Sequence, residues 1–163
     1  KQIEKTEETT EMILGEILHK VLKEISEKKI LFSENDFVER GKFYIKKKIL
    51  DWQKYFKIFE KIFRKIENNK NIKEIILKEG FSEIPFVYEE KGKIFEGRID
   101  KVIIENGEGK IYDYKLNVKN LDIYKNQLQI YEKAIKKIFD LKEVKKYIIS
   151  LEEGKIYNIE NFI

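Results

Sequence analysis

Two carboxylates, a lysine and a histidine stand in this 163-residue sequence where packing alone does not call for them. In Ile111-Tyr112-Asp113-Tyr114-Lys115-Leu116 the side chains of a strand alternate, so Asp113 and Lys115 share one face and Tyr112, Tyr114 and Leu116 the other. A buried Asp and Lys are costly unless they pair or bind something. In Phe95–Ile104, Asp100 lies between apolar residues, and the short connection at Asn106-Gly107 makes this segment an antiparallel neighbour of the Asp113 strand. Carboxylates on such neighbours converge, and they repel unless a cation lies between them. Hard oxygen ligands of this kind suit Mg²⁺ or Mn²⁺. Gly97 leaves room beside the site. His19, the sole histidine, follows Gly15 by one helical turn, and a neutral imidazole there could complete a metal site. Gln127 and Tyr131 are i and i+4 on a helix, a pair able to hydrogen-bond and stack on a nucleic acid and therefore expected to face the cleft. Singly, each has an ordinary alternative: an exposed ion pair, a surface or core histidine, a polar helix margin.

The elements that must position these residues are legible in the periodicity. A helical stripe runs from about Thr10 to Lys28 (Leu14, Leu18, Val21, Leu22, Ile25), with Thr9 or Thr10 as N-cap. Ser33 and Asp36 resemble a capping pair for a helical stretch over 36–66, which Gly41 could divide in two. Residues 72–78 read as a short helix stopped by Gly80. The period then changes to that of strands at 84–90, 94–105 and 110–117, with a turn at Asn106-Gly107. A helix follows over 122–139, then a hairpin of 144–151 and 155–159. Helices, three strands, a helix and two strands predict an α/β fold with a central mixed sheet flanked by helices. The chain is read as one domain over 1–163, helical over 10–79 and sheet-containing over 82–163, after a polar lead-in at residues 1–9.

Composition narrows the chemistry further. Apolar residues make up 42% of the chain, too many for a disordered one, and 39% are charged, with a net charge of +4. That balance permits a polyanionic partner without demanding one. The absence of cysteine removes disulfides, thiolate nucleophiles and iron–sulfur clusters. No uncharged run exceeds six residues, so neither a membrane-spanning helix nor a signal peptide is expected. The chain begins at Lys1 and is expected to be a piece of a longer one.

Taken together, Gly15…His19, Gly97-Arg98-Ile99-Asp100, Asp113-Tyr114-Lys115 and Gln127…Tyr131 resemble, in order, the G-x-x-x-H, G-x-x-D, (D/E)-x-K and Q-x-x-x-Y motifs of the RecB-type branch of the PD-(D/E)XK nuclease superfamily. Ser82-Glu83-Ile84-Pro85-Phe86 resembles the E-x-P-F strand of these nucleases. The resemblance spans roughly residues 12–150 and is closest to the C-terminal nuclease domains of RecB/AddA-like helicase-nucleases. It implies a restriction-endonuclease-like fold and a Mg²⁺- or Mn²⁺-dependent deoxyribonuclease, expected to be an exonuclease on single strands or duplex ends. It further implies a UvrD-like helicase domain in the same chain or complex, and work on the DNA of a prokaryotic cytoplasm. By the same resemblance His19, Asp100, Asp113 and the Tyr114 carbonyl ligate the metal and Lys115 acts at the water. Gln127, Tyr131 and Arg98 hold DNA, Lys101 contacts phosphates, and Glu83 is accessory. A nuclease-like module that only binds DNA or protein is the alternative. The retained Asp100, Asp113, Lys115 and His19 favour activity.

Overall fold

The computed structural model describes residues 9–159, so most of the lead-in, residues 1–8, lies outside the described residues. Helix α1 (Thr10–Ser26) starts where the Thr9 hydroxyl accepts the Met12 N–H, and it buries Leu14, Ile17, Leu18, Val21, Leu22 and Ile25 on one stripe. Helix α2 (Glu34–Ile45) is capped by Ser33, whose hydroxyl accepts the Asp36 N–H, while the Asp36 carboxylate reaches back to the Leu31 N–H. A short 3₁₀ turn at Trp52–Lys54 leads to α3 (Lys57–Asn68). Asn69 then closes that helix and caps α4 (Lys70–Leu77).

The helical stretch does divide, but at residues 46–56 and not at Gly41. Gly41 sits inside α2 beneath the Phe59 ring, where an added Cβ would lie 2.6 Å from the ring carbon. The glycine is there for close helix–helix approach.

Strands β1 (Phe81–Glu90), β2 (Lys93–Glu105) and β3 (Glu108–Lys115) form an antiparallel meander. Asn106 and Gly107, at φ 52° and 76°, make the tight turn between the last two. Helix α5 (Asp122–Ile138) crosses over to β4 (Glu143–Ser150), which pairs parallel with β3, and β5 (Lys155–Asn158) closes the hairpin. The five strands lie in the order β1-β2-β3-β4-β5. Helices α1–α4 cover one face, packing on Ile103, Tyr112, Tyr114 and Ile149. Helix α5 covers the other, packing on Val102, Ile111, Val144 and Ile148. This is the mixed, helix-flanked sheet that the sequence predicts.

One irregularity matters for the site. Ile99 and Val102 both pack under α5, although strict alternation would send residues three apart to opposite faces. The same switch occurs on β1, where Phe81 meets Phe139 and Ile84 joins the α5 core. Both strands change face where Glu83 stands opposite Asp100, between the pairs Ser82–Lys101 and Ile84–Ile99. Glu83 takes φ 52° there, a left-handed conformation that costs a non-glycine residue on the order of 1 kcal/mol or more.

Candidate metal centre

Asp100 and Asp113 come together because the β2–β3 register, which pairs Lys101 with Tyr112, carries on to set one acid opposite the other. The ladder itself stops there. Asp100 Oδ2 accepts the Tyr114 N–H at 2.7 Å, a side chain replacing a backbone partner. Both acids are buried, at 6% and 3% exposure, and their carboxyl groups lie within hydrogen-bonding reach of each other.

His19 reaches this pair from α1. Its Nδ1 lies 3.2 Å from Asp100 Oδ1, and its Nε2 donates to the Tyr114 carbonyl at 2.7 Å. With Nε2–H donated to a carbonyl and Nδ1 against a carboxylate, the ring is an imidazolium. Burial opposes that charge, but the Asp100 hydrogen bond and charge, helped by the Tyr114 carbonyl and Asp113, raise His19 to about 9. Burial likewise resists ionisation of Asp100, yet His19 and the Tyr114 N–H hold its carboxyl below the usual range. Asp113 fares differently: burial, then the charge of Asp100, push it up to about 7 against the pull of Lys115.

Lys115 Nζ stands 3.1 Å from Asp113 Oδ2 and 4.8 Å from the centre of the Tyr124 ring. Even so, Asp113 Oδ2 is buried without a hydrogen-bond partner. A buried carboxylate oxygen whose near donor is an ammonium group ion-paired with it outside hydrogen-bond geometry keeps capacity for a further cation. Donor atoms of His19, Glu83 and Asp100 all lie within 4.8 Å of one another, the spread a single ion can span. Burial, then the Asp100 charge, raise Glu83 above its ordinary value. Oxygen donors with one imidazole, two of the carboxylates repelling each other, fit a hard divalent cation.

Openings flank the cluster. A cavity of about 400 Å³ is lined by Met12, Gly15, His19, Tyr114, Lys115 and Tyr124. A Cβ added at Gly15 would meet nothing within 4 Å, so that glycine does leave open space near the imidazole. On the other side a groove of about 740 Å³ takes in Ser26, Phe81, Glu83 and Pro85.

Gln127 is exposed and donates to the Tyr131 hydroxyl at 2.9 Å. Tyr131 itself is buried, its ring edge-on to Phe86 and close to Gly97. Only its hydroxyl looks toward the acids, and burial followed by the Asp113 and Asp100 charges raise its pKa. The cleft-facing expectation fails for the buried Tyr131 ring, and Gln127 is exposed on the same helix face. Arg98 is exposed. Lys101 is not available to phosphates: it is 1% exposed, and its ammonium donates to the Ile76 and Lys78 carbonyls at the end of α4, 3.2 and 2.6 Å away. Burial pulls it down to about 8. Glu83, expected as an accessory residue, lies among the donor atoms, and the conformation that puts it there leaves no mark in the sequence beyond the neighbouring Pro85.

A mixed sheet that aims two acids and a lysine at one point, with an imidazole beside them, is built for divalent-metal chemistry on an anionic substrate. The profile of the PD-(D/E)XK nuclease superfamily matches residues 1–160, and the chain belongs to that superfamily. Its members are generally nucleases that use divalent metals. No curated protein matches the chain. Among the described residues, no helix is long and apolar enough to cross a membrane.

Proposed function

We propose that this chain hydrolyses phosphodiester bonds in DNA, with His19, Glu83, Asp100, Asp113 and the Tyr114 carbonyl as the ligand set for Mg²⁺ or Mn²⁺. The observation that carries the reading is the convergence of buried Asp100 and Asp113 with Lys115, beside His19, Glu83 and Asp100 donor atoms that lie within 4.8 Å of one another. A divalent ion supplies Lewis-acid polarisation of the phosphate and a lowered pKa for water. The side chains do the rest. Asp113 and Asp100 present negative charge that a cation neutralises. His19 must lose a proton before a ring nitrogen can serve as a ligand, and leaving the Tyr114 carbonyl frees that oxygen at the same time. Lys115 directs its amine at the space beside Asp113, where it orients a water and offsets charge building on the phosphate. Gln127, braced by the Tyr131 hydroxyl, and Arg98 guide the strand.

The order of the motifs supports the RecB-type assignment and, with it, exonucleolytic action on single strands or ends beside a helicase. Lys115→Ala separates chemistry from binding. It should abolish cleavage of end-labelled single-stranded DNA while calorimetric Mn²⁺ affinity stays near wild type, because an interaction made only in the transition state lowers turnover and not binding. Wild-type rates in this variant would remove Lys115 from the mechanism. Wild-type protein that binds DNA and cuts it with no divalent metal present or added would overturn the metal-dependent reading.

A further inference from the structure

Charge on this chain is concentrated. Residues 42–57 hold six lysines and one acid, Asp51, a net +5 in a chain whose total is +4, so the remaining residues together are slightly acidic. The same segment carries Phe43, Tyr44, Trp52, Tyr55 and Phe56, including the sole tryptophan. The end of α2 and the connection to α3 interleave the two residue types. Lys47 Nζ lies 3.9 Å from the centre of the Phe43 ring, Lys46 4.6 Å from Trp52 and Lys42 4.7 Å from Phe56. Phe43 is 48% exposed and Leu50 99%. Phe43 adds little to the core, Trp52 is half-buried at its edge, and Lys46, Lys47 and Lys48 are exposed with no carboxylate partner among the described residues.

The patch is continuous with the metal centre. Lys23 stands one turn beyond His19 on α1, close enough for its charge to lower the Glu83 carboxyl. Lys20 lies 5.5 Å from the centre of the Tyr44 ring, which meets Phe43 edge-on at 5.4 Å. Basic and aromatic groups thus run from His19 across α1 to the α2–α3 connection, with Glu24 between them taken up by Tyr44 and Arg40.

We propose that this surface is a track for single-stranded nucleic acid, with bases stacking on Phe43 and Trp52, phosphates on Lys46, Lys47 and Lys48, and the strand led past Lys20 to the metal centre. It builds on the nuclease reading for where the strand goes. The exposed Phe43 ring and the open part of the half-buried Trp52 ring stack only on unstacked bases, whose faces a duplex hides. Lysine ammonium groups hold phosphates without reading sequence. An acidic peptide would satisfy the lysines and leave the rings uncovered.

Trp52 reports on the track directly, because it is the only tryptophan. In EDTA, an oligo(dT) of about 30 nucleotides should quench its emission saturably. The exposed triple variant K46A/K47A/K48A should bind at least about tenfold more weakly, with a log–log salt slope shallower by about 2. Phe43→Ala should cost about tenfold. With Mn²⁺, the triple variant should cut the long oligonucleotide more slowly at limiting substrate, and cut one of about 4 nucleotides at the wild-type rate. No quenching, equal quenching by a duplex or by polyglutamate, or unchanged affinity of the triple variant would overturn the track. Unaltered cutting of both lengths by the triple variant would overturn it too and leave the nuclease reading standing. Quenching by a wild-type protein that never cuts would overturn the nuclease reading and leave the track standing.

Discussion

Replacing Asp113 by asparagine should make the metal-free protein more stable and weaken its response to metal. In the folded chain burial and the Asp100 charge raise this carboxyl to about 7, so its ionisation is set against the fold by on the order of a few kcal/mol. The folded state binds the extra proton, so stability is greatest at the acid end of this window and falls as pH rises from 3.8 towards 7. By pH 8 the whole cost is present. Asparagine avoids the charge but gives up the ion pair with Lys115, at 3.1 Å, and buries an amide in its place. The balance is a gain of about 1–3 kcal/mol, or roughly 3–9 °C in Tm for a chain of this length. Scanning calorimetry in EDTA should show that gain at pH 8 and a smaller one at pH 5. Added Mn²⁺ should raise the wild-type Tm by more than the variant's. A variant less stable than wild type at pH 8 in chelator would show that the acid pair does not oppose folding, and the argument for a cation there would lose its energetic basis.

Lys101→Met should unpair the Ile76 and Lys78 carbonyls and cost about 1–3 kcal/mol by urea denaturation, with Mn²⁺ affinity unchanged although the residue adjoins Asp100. A stable variant with weakened DNA affinity would instead restore a phosphate-binding role. Tyr114→Phe removes a buried hydroxyl that has no hydrogen-bond partner and keeps the backbone carbonyl, so it should leave metal affinity intact and gain up to about 1 kcal/mol. A drop in Mn²⁺ affinity measured by calorimetry would show that the hydroxyl, and not only the carbonyl, serves the site.

Residues whose role follows from local periodicity were readable in the sequence. The apolar stripe of α1, the Ser33 cap, the Asn106-Gly107 turn and the alternation around Asp113 each encode their own geometry within a few positions. Residues whose role depends on a distant partner were not. Gly41 reads as a helix weakness until the Phe59 ring is seen against it. Lys101 reads as a surface cation until the end of α4 is seen above it. Tyr131 carries a polar tip on an apolar body, and i,i+4 spacing with Gln127 cannot say which half faces the acids. Glu83 is marked by its place in the Glu83-Ile84-Pro85-Phe86 pattern, but the backbone angle that sets it among the donor atoms is not.

The two halves of the metal centre are tied together over very different lengths of chain. The bond from Tyr114 to Asp100 closes a loop of 14 positions, whereas the bond from His19 to Tyr114 closes one of 95. Loop-closure entropy grows with the logarithm of that separation, so the second closure costs about 2 kcal/mol more than the first. During folding, contacts of short span form ahead of those of long span. The acids therefore meet on their hairpin while the first helix is still undocked, and until the imidazolium arrives their mutual repulsion is offset by Lys115 alone. Docking of the first helix is then at once a packing event and a charge-neutralising one. A divalent cation captured by the hairpin in that interval would take over the neutralising part.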